Sequence, residues 1–356
     1  MIIVIKVRLA GVFMSFDKKK RDNIKKYILD KMSSGNKDYV NRAVKAFGIS
    51  STSVYRYLSD LESEGIIVKN GSKYELKTKI KTMTLSRNAG ELKDEQQIYN
   101  EFLSESLSKR KDNVRRIWGY AFTEMMNNAI DHSAAEKVNV ILGENHVDTF
   151  VVIYDNGVGI FRKIMEHFKL DSLKTAAGEL FKGKFTTDSK RHSGEGIFFT
   201  SRMLDEFAAI SEGVIFTHEK YDEIVNDLEN IQEFEQWKDM RGTIIFMKLS
   251  NNTRKKTKEI FDKYADVEEG FVKISVKVKN LFDEYPVSRS QGKRLVNGFE
   301  RYETVELDFS GIDEMGQGFA DEVFRVFANE HPSVRLIPVK MGQDVEKMYK
   351  HVVGKG

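Results

Sequence analysis

The chain has 356 residues, which is longer than one ordinary domain and predicts two or three domains. Its composition, with 40% hydrophobic and 31% charged residues, is typical of a soluble protein with several small cores. Because the chain contains no cysteine, disulfides and thiolate metal sites are excluded. We expect no membrane partner and a cytoplasmic protein, since no apolar run is long enough to span a bilayer.

Positive charge is concentrated near the amino terminus. Residues 17–79 contain 15 Lys and Arg against 8 Asp and Glu, a net charge of +7, so the rest of the chain carries −4 of the total of +3. Clustered Lys and Arg attract the phosphate groups of nucleic acids without regard to base sequence. The asymmetry therefore favours a nucleic-acid partner for this end of the chain.

The first thirteen residues, MIIVIKVRLAGVF, are apolar but contain Lys6 and Arg8. They are too short to span a bilayer and lack the small-residue cleavage site of a signal peptide. We expect either an extra β-strand here or a start upstream of the true initiator, with Met14 as the alternative first residue.

Residues 17–80 have the pattern of a small helical domain with a hairpin. Apolar residues at helical spacing predict helices over residues 22–32, 39–47 and 50–63. Two short strands, 66–68 and 74–76, are joined at Asn70-Gly71, a pair typical of a type I′ turn. This order of elements, particularly in GISSTSVYRYLSDLESEGII, resembles the winged-helix domains of bacterial regulators.

The third predicted helix has one apolar and one polar face. Val54, Leu58 and Leu61 share the inward face, so the opposite face is left to residues that can reach base edges and phosphates. The candidate DNA contacts are Thr52, Tyr55, Arg56 and Ser59 on this helix and Lys69 and Lys73 on the hairpin. The alternatives are that this domain contacts only proteins, or that its charged residues simply form a face exposed to solvent.

The central segment has predicted helices over residues 98–108 and 113–132 and predicted strands over 138–142, 149–154 and 243–249. The second of these helices carries the first chemical motif. Glu124, Asn128 and His132 are spaced by four residues, so they share one helix face, and Asp131 follows Asn128 by three. An amide oxygen suits Mg²⁺, and a carboxylate can deprotonate an attacking water or hydroxyl. The alternative is an amphipathic helix whose polar face simply meets solvent.

Three further motifs follow in the same segment. An apolar strand at 149–154 ends in Asp155, which can accept a hydrogen bond from an exocyclic amine, while Gly157 and Gly159 let the backbone approach a flat ring. Glycines at 194 and 196 precede a predicted helix over 198–207, where unpaired amides can bind phosphate. Thr243 begins a late strand. Each motif alone is weak, since ordinary turns and loops look similar.

The order and spacing of these four motifs resemble the GHKL superfamily, which includes DNA gyrase, Hsp-type chaperones, MutL, sensor histidine kinases and anti-sigma-factor kinases. The resemblance implies ATP and Mg²⁺ as cofactors, with Mg²⁺ on Asn128, the adenine amine on Asp155 and Glu124 in the position of the general base. The other nucleotide contacts that we predict are Asp131, Gly157, Gly159, Gly194, Gly196, Ile197 and Thr243.

The stretch between the two glycine motifs, residues 161–193, corresponds in the superfamily to a mobile lid over the triphosphate. Lys184, Lys190, Arg191 and His192 are candidates to contact the γ-phosphate from this lid. The alternative is that they belong to a solvated, flexible loop.

Residues 255–356 alternate predicted strands (271–278, 304–309, 334–339) with predicted helices (290–299, 318–329, 343–349), as in a small α/β domain. Residues 305–321 resemble STAS-like modules and, more distantly, anti-anti-sigma factors, which are phosphorylated on a Ser at a helix start. Here that position falls within Gly316-Gln317-Gly318-Phe319, so the acceptor hydroxyl is missing. We expect residues 316–321 to form a helix-capping turn that touches the ATP-binding domain or a partner. The alternative is that this domain is a packing module with no ligand of its own.

The sequence therefore predicts an α+β multidomain chain. It comprises a winged helix-turn-helix at 17–80, a Bergerat-type α/β sandwich at 85–250 with a mixed sheet and helices on one face, and a small STAS-like α/β domain at 255–356. The leading hypothesis is an ATP-controlled DNA-binding regulator with a protein partner at the STAS-like domain. The alternatives are an anti-sigma-type Ser/Thr protein kinase and a slow ATPase that works as a dimer clamp.

Overall fold

The computed structural model describes residues 2–180, 196–218, 234, 240–266, 270–271, 273–282 and 285–354. These residues form three units in chain order, which we call the N-terminal, central and C-terminal units. The chain mixes helices with antiparallel and parallel sheets, so the predicted α+β class is confirmed. Among the described residues, no helix is both long and apolar enough to cross a membrane.

The N-terminal unit consists of three helices and a hairpin. Its elements are α1 (Ile2–Ser33), α2 (Tyr39–Phe47), α3 (Ser51–Ser63), β1 (Ile67–Asn70) and β2 (Lys73–Leu76). Ser50 is the N-cap of α3, and its hydroxyl accepts a hydrogen bond from the Ser53 amide at 3.2 Å. Ile24, Ile28 and Leu58 are buried together in the core of this unit.

Two local expectations for this unit are wrong. Residues 2–13 are not a strand but the first part of α1, which continues without a break into residues 22–32; a short apolar run does not by itself distinguish the two. In the hairpin, Asn70 pairs with Lys73, which leaves Gly71 and Ser72 as the loop. Only Gly71 of these two has a positive φ, 60°, whereas a type I′ turn requires two such residues.

The central unit is built on a six-stranded sheet with the order β3-β4-β5-β8-β6-β7. Its strands are β3 (Lys79–Ser86), β4 (Lys137–Glu144), β5 (Asp148–Asp155), β6 (Glu206–Ser211), β7 (Val214–Thr217) and β8 (Thr243–Ser250). The expected mixed sheet is wrong, because every described pairing in it is antiparallel. Short hairpin connections such as the one between β4 and β5 impose this arrangement.

Helices cover one face of this sheet, as predicted. They are α4 (Glu95–Phe102), α5 (Ser104–Leu107), α6 (Asp112–Asn127), α7 (Ile160–Phe168), α8 (Leu173–Glu179) and α9 (Gly196–Met203). Trp118, Phe122 and Phe199 are fully buried between helices and sheet. On the opposite face a smaller cluster contains Val152, Phe246 and the side chain of Phe234.

Two predicted helices of the central unit differ in extent. The helix predicted over 98–108 is divided at Leu103 into α4 and α5, and the Ser104 hydroxyl bonds back to the Asn100 carbonyl at 2.7 Å. The helix predicted over 198–207 ends at Met203, and Phe207 lies in β6, buried in the sheet. Apolar runs of this length do not distinguish a helix from a buried strand.

The C-terminal unit contains a parallel sheet with the order β11-β12-β13. Its elements are α10 (Thr257–Tyr264), β9 (Ala265–Asp266), β10 (Gly270–Phe271), β11 (Lys273–Lys277), a 3₁₀ turn (Val278–Leu281), α11 (Arg289–Val296), a 3₁₀ turn (Phe299–Arg301), β12 (Thr304–Asp308), α12 (Gln317–Asp321), a π turn (Glu322–Phe327), α13 (Ala328–Glu330), β13 (Arg335–Val339) and α14 (Gln343–Val353). The strand–helix alternation agrees with the prediction.

The central and C-terminal units share one continuous hydrophobic core. Phe261 packs against Phe199 with ring centroids 4.6 Å apart, and Tyr264 packs edge-on against Phe198 at 5.2 Å. Both partners lie on α9. The C-terminal unit is therefore attached directly to the helix that begins at the second glycine motif.

The N-terminal unit contacts the central sheet through the carboxyl end of α1. The Ser33 hydroxyl hydrogen-bonds the Asp148 carboxylate at the start of β5. The Lys248 ammonium on β8 donates to the Ser33 carbonyl at 3.0 Å and pairs with Glu206 at 3.1 Å. Asp148 and Lys248 are both buried by this contact.

Candidate functional site

The helix predicted to carry Glu124 and Asn128 is α-helical only as far as Asn127. Residues Asn128–His132 form a π turn, so the expectation that Glu124, Asn128 and His132 share one α-helical face is wrong beyond Asn128. The Ser133 hydroxyl, directly after this turn, donates to the Ala129 carbonyl at 2.5 Å. Asn128 and Asp131 thus lie in a widened last turn.

Asp155 lies at the end of β5 and is 5% exposed. Its Oδ1 accepts a hydrogen bond from the Gly157 amide at 2.9 Å, and Thr243, its register partner on β8, also bonds it. Burial raises the pKa of Asp155 to about 6, against the lowering effect of these hydrogen bonds. Thr243 Oγ1 in turn accepts from the Ile160 amide at 3.0 Å, so both predicted residues belong to one network.

The glycines of the first glycine motif approach protein atoms. A Cβ on Gly157 would lie 2.1 Å from the Ser133 carbonyl oxygen, and one on Gly159 would lie 2.6 Å from Ser211 Oγ. Gly159 also has a φ of 84°, a backbone angle that residues with a side chain rarely adopt. The backbone at Gly157 and Gly159 packs closely against Ser133 and Ser211. This packing explains why both residues are glycine, in addition to any approach of a flat ring.

The second glycine motif meets the first helix of the site. A Cβ on Gly196, the first residue of α9, would lie 2.2 Å from Glu124 Oε2. Ile197 follows and is partly buried against the core. Gly194 and the lid candidates Lys184, Lys190, Arg191 and His192 lie outside the described residues.

These contacts bring the sequence-predicted residues into one region of the central unit. The Val158 amide donates to the Ser133 carbonyl at 2.8 Å, which joins the end of the π turn to the first glycine motif. Glu124 contacts the start of α9, and Asp155 pairs with Thr243. The described residues of four motifs that are distant in sequence are therefore linked by contacts in the folded chain.

Several residues of the site are not apparent from the sequence. Arg162, on the first turn of α7, forms a two-point ion pair with Glu212 in the turn between β6 and β7, with Nε 2.9 Å from Oε1. The hydrogen bond and charge of Arg162 lower the pKa of Glu212. Lys163 donates to the His132 carbonyl at 2.9 Å. The two adjacent basic residues shortly after Gly159 are visible in the sequence, but the sequence does not identify their partners.

Comparison with known families agrees with this geometry. Residues 114–250 match the family described as histidine kinase-, DNA gyrase B-, and HSP90-like ATPase. The chain contains a GHKL ATPase domain. Domains of this family bind ATP, usually with Mg²⁺. A search of curated proteins finds no match to the chain.

Residues 291–346 match a second family, described as a STAS-like domain of unknown function (DUF4325). They begin within α11, include β12, α12 and β13, and end within α14 of the C-terminal unit. The chain thus combines a GHKL ATPase domain with a STAS-like domain, as the resemblance predicts.

The start of α12 in the STAS-like domain packs against its own unit. Gly316 is the N-cap of α12, and a Cβ there would lie 2.5 Å from the Val287 Cα. The Gly316 amide donates to the Pro286 carbonyl at 2.9 Å, and the Phe319 amide to the Val287 carbonyl at 3.3 Å. The predicted capping turn is present, and these contacts are with the segment before α11 rather than with the ATPase domain.

Proposed function

We propose that the protein binds ATP with Mg²⁺ in the GHKL domain and that the nucleotide controls DNA binding by the N-terminal unit. One observation carries the proposal: the strands that hold Asp155 and Thr243 at one end contact α1 at the other. Asp148 begins β5 and Lys248 lies near the end of β8, and both meet Ser33. At about 3.3 Å per residue, roughly 20 Å of paired strand separates the two ends.

Asp155 is proposed to bind the adenine amine. A buried carboxylate that already orders the Gly157 amide and Thr243 has a second oxygen for an exocyclic N–H. Since burial raises its pKa to about 6, Asp155 is mostly ionised, and therefore an acceptor, at neutral pH. A desolvated acceptor of this kind discriminates strongly against bases that lack the matching donor.

The triphosphate is proposed to lie between the π turn and the start of α9. Asn128 would supply an amide oxygen to Mg²⁺, and bound Mg²⁺ would neutralise phosphate charge. The first amides of α9 point along the positive end of a helix dipole, which favours phosphate oxygens. Among the described residues, no group of three or more His, Asp or Glu side chains forms a metal site, so phosphate oxygens and water would complete the coordination shell.

The N-terminal unit is proposed to be a winged helix that binds DNA. Its candidate contacts are all exposed, namely Thr52, Tyr55, Arg56, Ser59, Lys69 and Lys73. Val54 and Leu58 face inward and are fully buried, which leaves the opposite face of α3 open. Tyr39 fixes the hairpin against α2, because its hydroxyl bonds both the amide and the carbonyl of Tyr74 at 3.3 Å. A rigid basic hairpin beside an open polar helix suits a DNA duplex.

The test is an equilibrium titration of duplex DNA fragments with and without Mg·ATP, monitored by fluorescence anisotropy. Since a ligand can shift an equilibrium only through unequal affinity for its two states, we expect ATP to change the DNA Kd of the wild-type protein. Asp155→Asn should remove this effect, whereas Arg56→Ala should weaken DNA binding with or without ATP. Equal DNA affinity with and without Mg·ATP would exclude control by nucleotide.

Turnover of ATP is a second candidate function, because the Glu124 carboxylate lies against Gly196 at the proposed phosphate end. A carboxylate there can deprotonate water, giving hydrolysis, or a protein hydroxyl, giving a Ser/Thr kinase. Phosphate release that Glu124→Ala abolishes would support hydrolysis. Labelled phosphate on a separate protein would support the kinase, and the STAS-like domain would be the surface that binds such a partner.

A further inference from the structure

The last turn of the helix that carries Asn128 is a π turn, Asn128–His132. A π turn closes hydrogen bonds from residue i to i+5 and occurs mostly as a single turn, frequently at functional sites. Because it lies at the carboxyl end of the helix, its last carbonyl groups have no acceptor role within the helix and need partners from outside it. The residues that supply these partners determine where the side chains of the turn are held.

Two cations bind the carbonyls of this π turn. The Arg87 guanidinium, beyond the end of β3, donates to the Ile130 carbonyl at 2.7 Å and to the Ala135 carbonyl at 2.7 Å. The Lys163 ammonium, on α7, donates to the His132 carbonyl at 2.9 Å. Cations at the carboxyl end of a helix also stabilise its dipole. The turn is thus held from two sides by different segments of the chain.

Asn128 depends on this backbone for its position. Its side-chain nitrogen lies 4.0 Å from Met125 Sδ, and a thioether is only a weak acceptor. This contact does little to orient the amide, so the path of the π turn sets where the amide oxygen lies. Mg²⁺ demands near-ideal octahedral geometry, and a small displacement of one ligand is costly.

We infer that Lys163 and Arg87 are positioning residues for Asn128, the proposed ligand of Mg²⁺. They act through the Ile130 and His132 carbonyls and make no contact with the metal themselves. The inference rests on the proposed binding of Mg·ATP. Removal of residues that orient a metal ligand typically lowers metal affinity by about 10- to 100-fold. The Mg²⁺-dependent part of ATP affinity should therefore depend on them.

The experiment measures the ATP Kd of the full chain with Mg²⁺ and with EDTA, by isothermal titration calorimetry. We expect Lys163→Met and Arg87→Met each to reduce the gain in affinity from Mg²⁺ by about tenfold, with a small effect on the Kd in EDTA. Lys163→Arg should restore the gain, because a guanidinium also donates to a carbonyl. Lys258→Met, at an exposed position on α10, is the matched control and should keep the wild-type gain.

The Kd in EDTA distinguishes positioning from loss of the fold, since a misfolded variant loses affinity under both conditions. A Lys163→Met variant with the full wild-type gain from Mg²⁺ would overturn the inference and leave the proposed function intact. A wild-type protein that binds ATP equally with and without Mg²⁺ would also overturn it. Absence of ATP binding by the wild type would overturn the proposed function itself, and the inference with it.

Discussion

The Glu124 carboxylate lies directly against Gly196, so that a Cβ at residue 196 would be 2.2 Å from Oε2. One residue is near the end of α6 and the other begins α9, and the two helices pack side by side over the sheet. This contact brings a candidate general base to the helix start that is proposed to bind phosphate. Glycine at 196 leaves the carboxylate room to hold that position.

Gly196→Ala should therefore disturb the site more than the fold. The added methyl group must displace the tip of the Glu124 side chain, which is flexible and can move at small cost. We expect ATP affinity to fall about tenfold, with a thermal midpoint within a few degrees of the wild type. Calorimetric titration with ATP and a circular-dichroism melt measure the two effects.

Gly119→Ala is the matched control in α6. A Cβ there would have its nearest neighbour, Tyr99 Oη, at an ordinary 3.9 Å, and alanine favours a helix over glycine by roughly 0.5–1 kcal/mol. This variant should be as stable as the wild type or more so, with unchanged ATP affinity. Wild-type affinity in Gly196→Ala would contradict the proposed position of the phosphates.

The affinity for ATP should rise with pH as Asp155 ionises. Burial raises the pKa of this carboxyl to about 6, and only the ionised form presents two acceptor oxygens to an adenine amine. Between pH 5 and pH 7 we expect about a tenfold gain in affinity from this group, since its ionised fraction rises by about that factor. ATP titrations across this range measure the gain.

Asp155→Asn is the control for the titration of the phosphates themselves. Any change of ATP affinity with pH that remains in this variant comes from titration of the ATP phosphates. The difference between its profile and that of the wild type comes from the Asp155 carboxyl. Parallel profiles for the two proteins would show that the carboxyl of Asp155 does not bind the base.

Lys248→Met should loosen the N-terminal unit. The Lys248 side chain is 9% exposed, pairs with Glu206 and donates to the Ser33 carbonyl. Glu206 is 22% exposed, so removal of the nearly buried ammonium should cost roughly 2 kcal/mol, less than for a fully buried pair. We expect a lower free energy of unfolding in urea and faster hydrogen exchange near Ser33.

The exposed pair of Lys256 and Glu259 provides the comparison, because both side chains are more than half exposed. Lys256→Met should cost less than about 1 kcal/mol. If the two lysine variants lost equal stability, the buried contact would not be what attaches α1 to the sheet.

Arg202 joins α9 to the C-terminal unit, and its removal should separate them. Its guanidinium lies 4.8 Å from the centre of the Phe198 ring and donates to the Ser275 carbonyl at 3.2 Å. It also bonds His218, whose pKa is lowered well below its usual value by burial and secondarily by the charge of Arg202, so the neutral imidazole is the partner.

For Arg202→Met we expect faster hydrogen exchange in β11 and a loss of roughly 2 kcal/mol of stability. Arg289→Met removes an arginine whose side chain is 65% exposed, and it should change neither quantity measurably. Unchanged exchange in β11 of Arg202→Met would show that the shared aromatic core alone attaches the two units.

The elements that the sequence predicted best have strong local signals. The helix over 39–47 and the strands near 138–142, 149–154 and 243–249 are all present, because each has an uninterrupted apolar pattern and a clear stop. The site motifs were found for a related reason: Asp155, Gly157 and Gly159 follow a strand directly. The contacts between the motifs form only in the folded chain.

The missed features depend on partners that are distant in sequence. The π turn at Asn128–His132 is stabilised by Arg87 and Lys163, which belong to other segments, so local helical spacing could not reveal it. The antiparallel order of the sheet and the strand at Phe207 likewise follow from pairing across the sheet. Spacing within one element carries no information on such contacts.

The most direct test of the account compares ATP and GTP on the wild-type protein by isothermal titration calorimetry in the presence of Mg²⁺. Adenine offers an amine where guanine has a carbonyl oxygen, so a buried Asp155 carboxylate in the proposed role would accept from the first and repel the second. We expect one ATP bound per chain and GTP binding at least about tenfold weaker. Absence of ATP binding, or equal affinity for the two nucleotides, would contradict it.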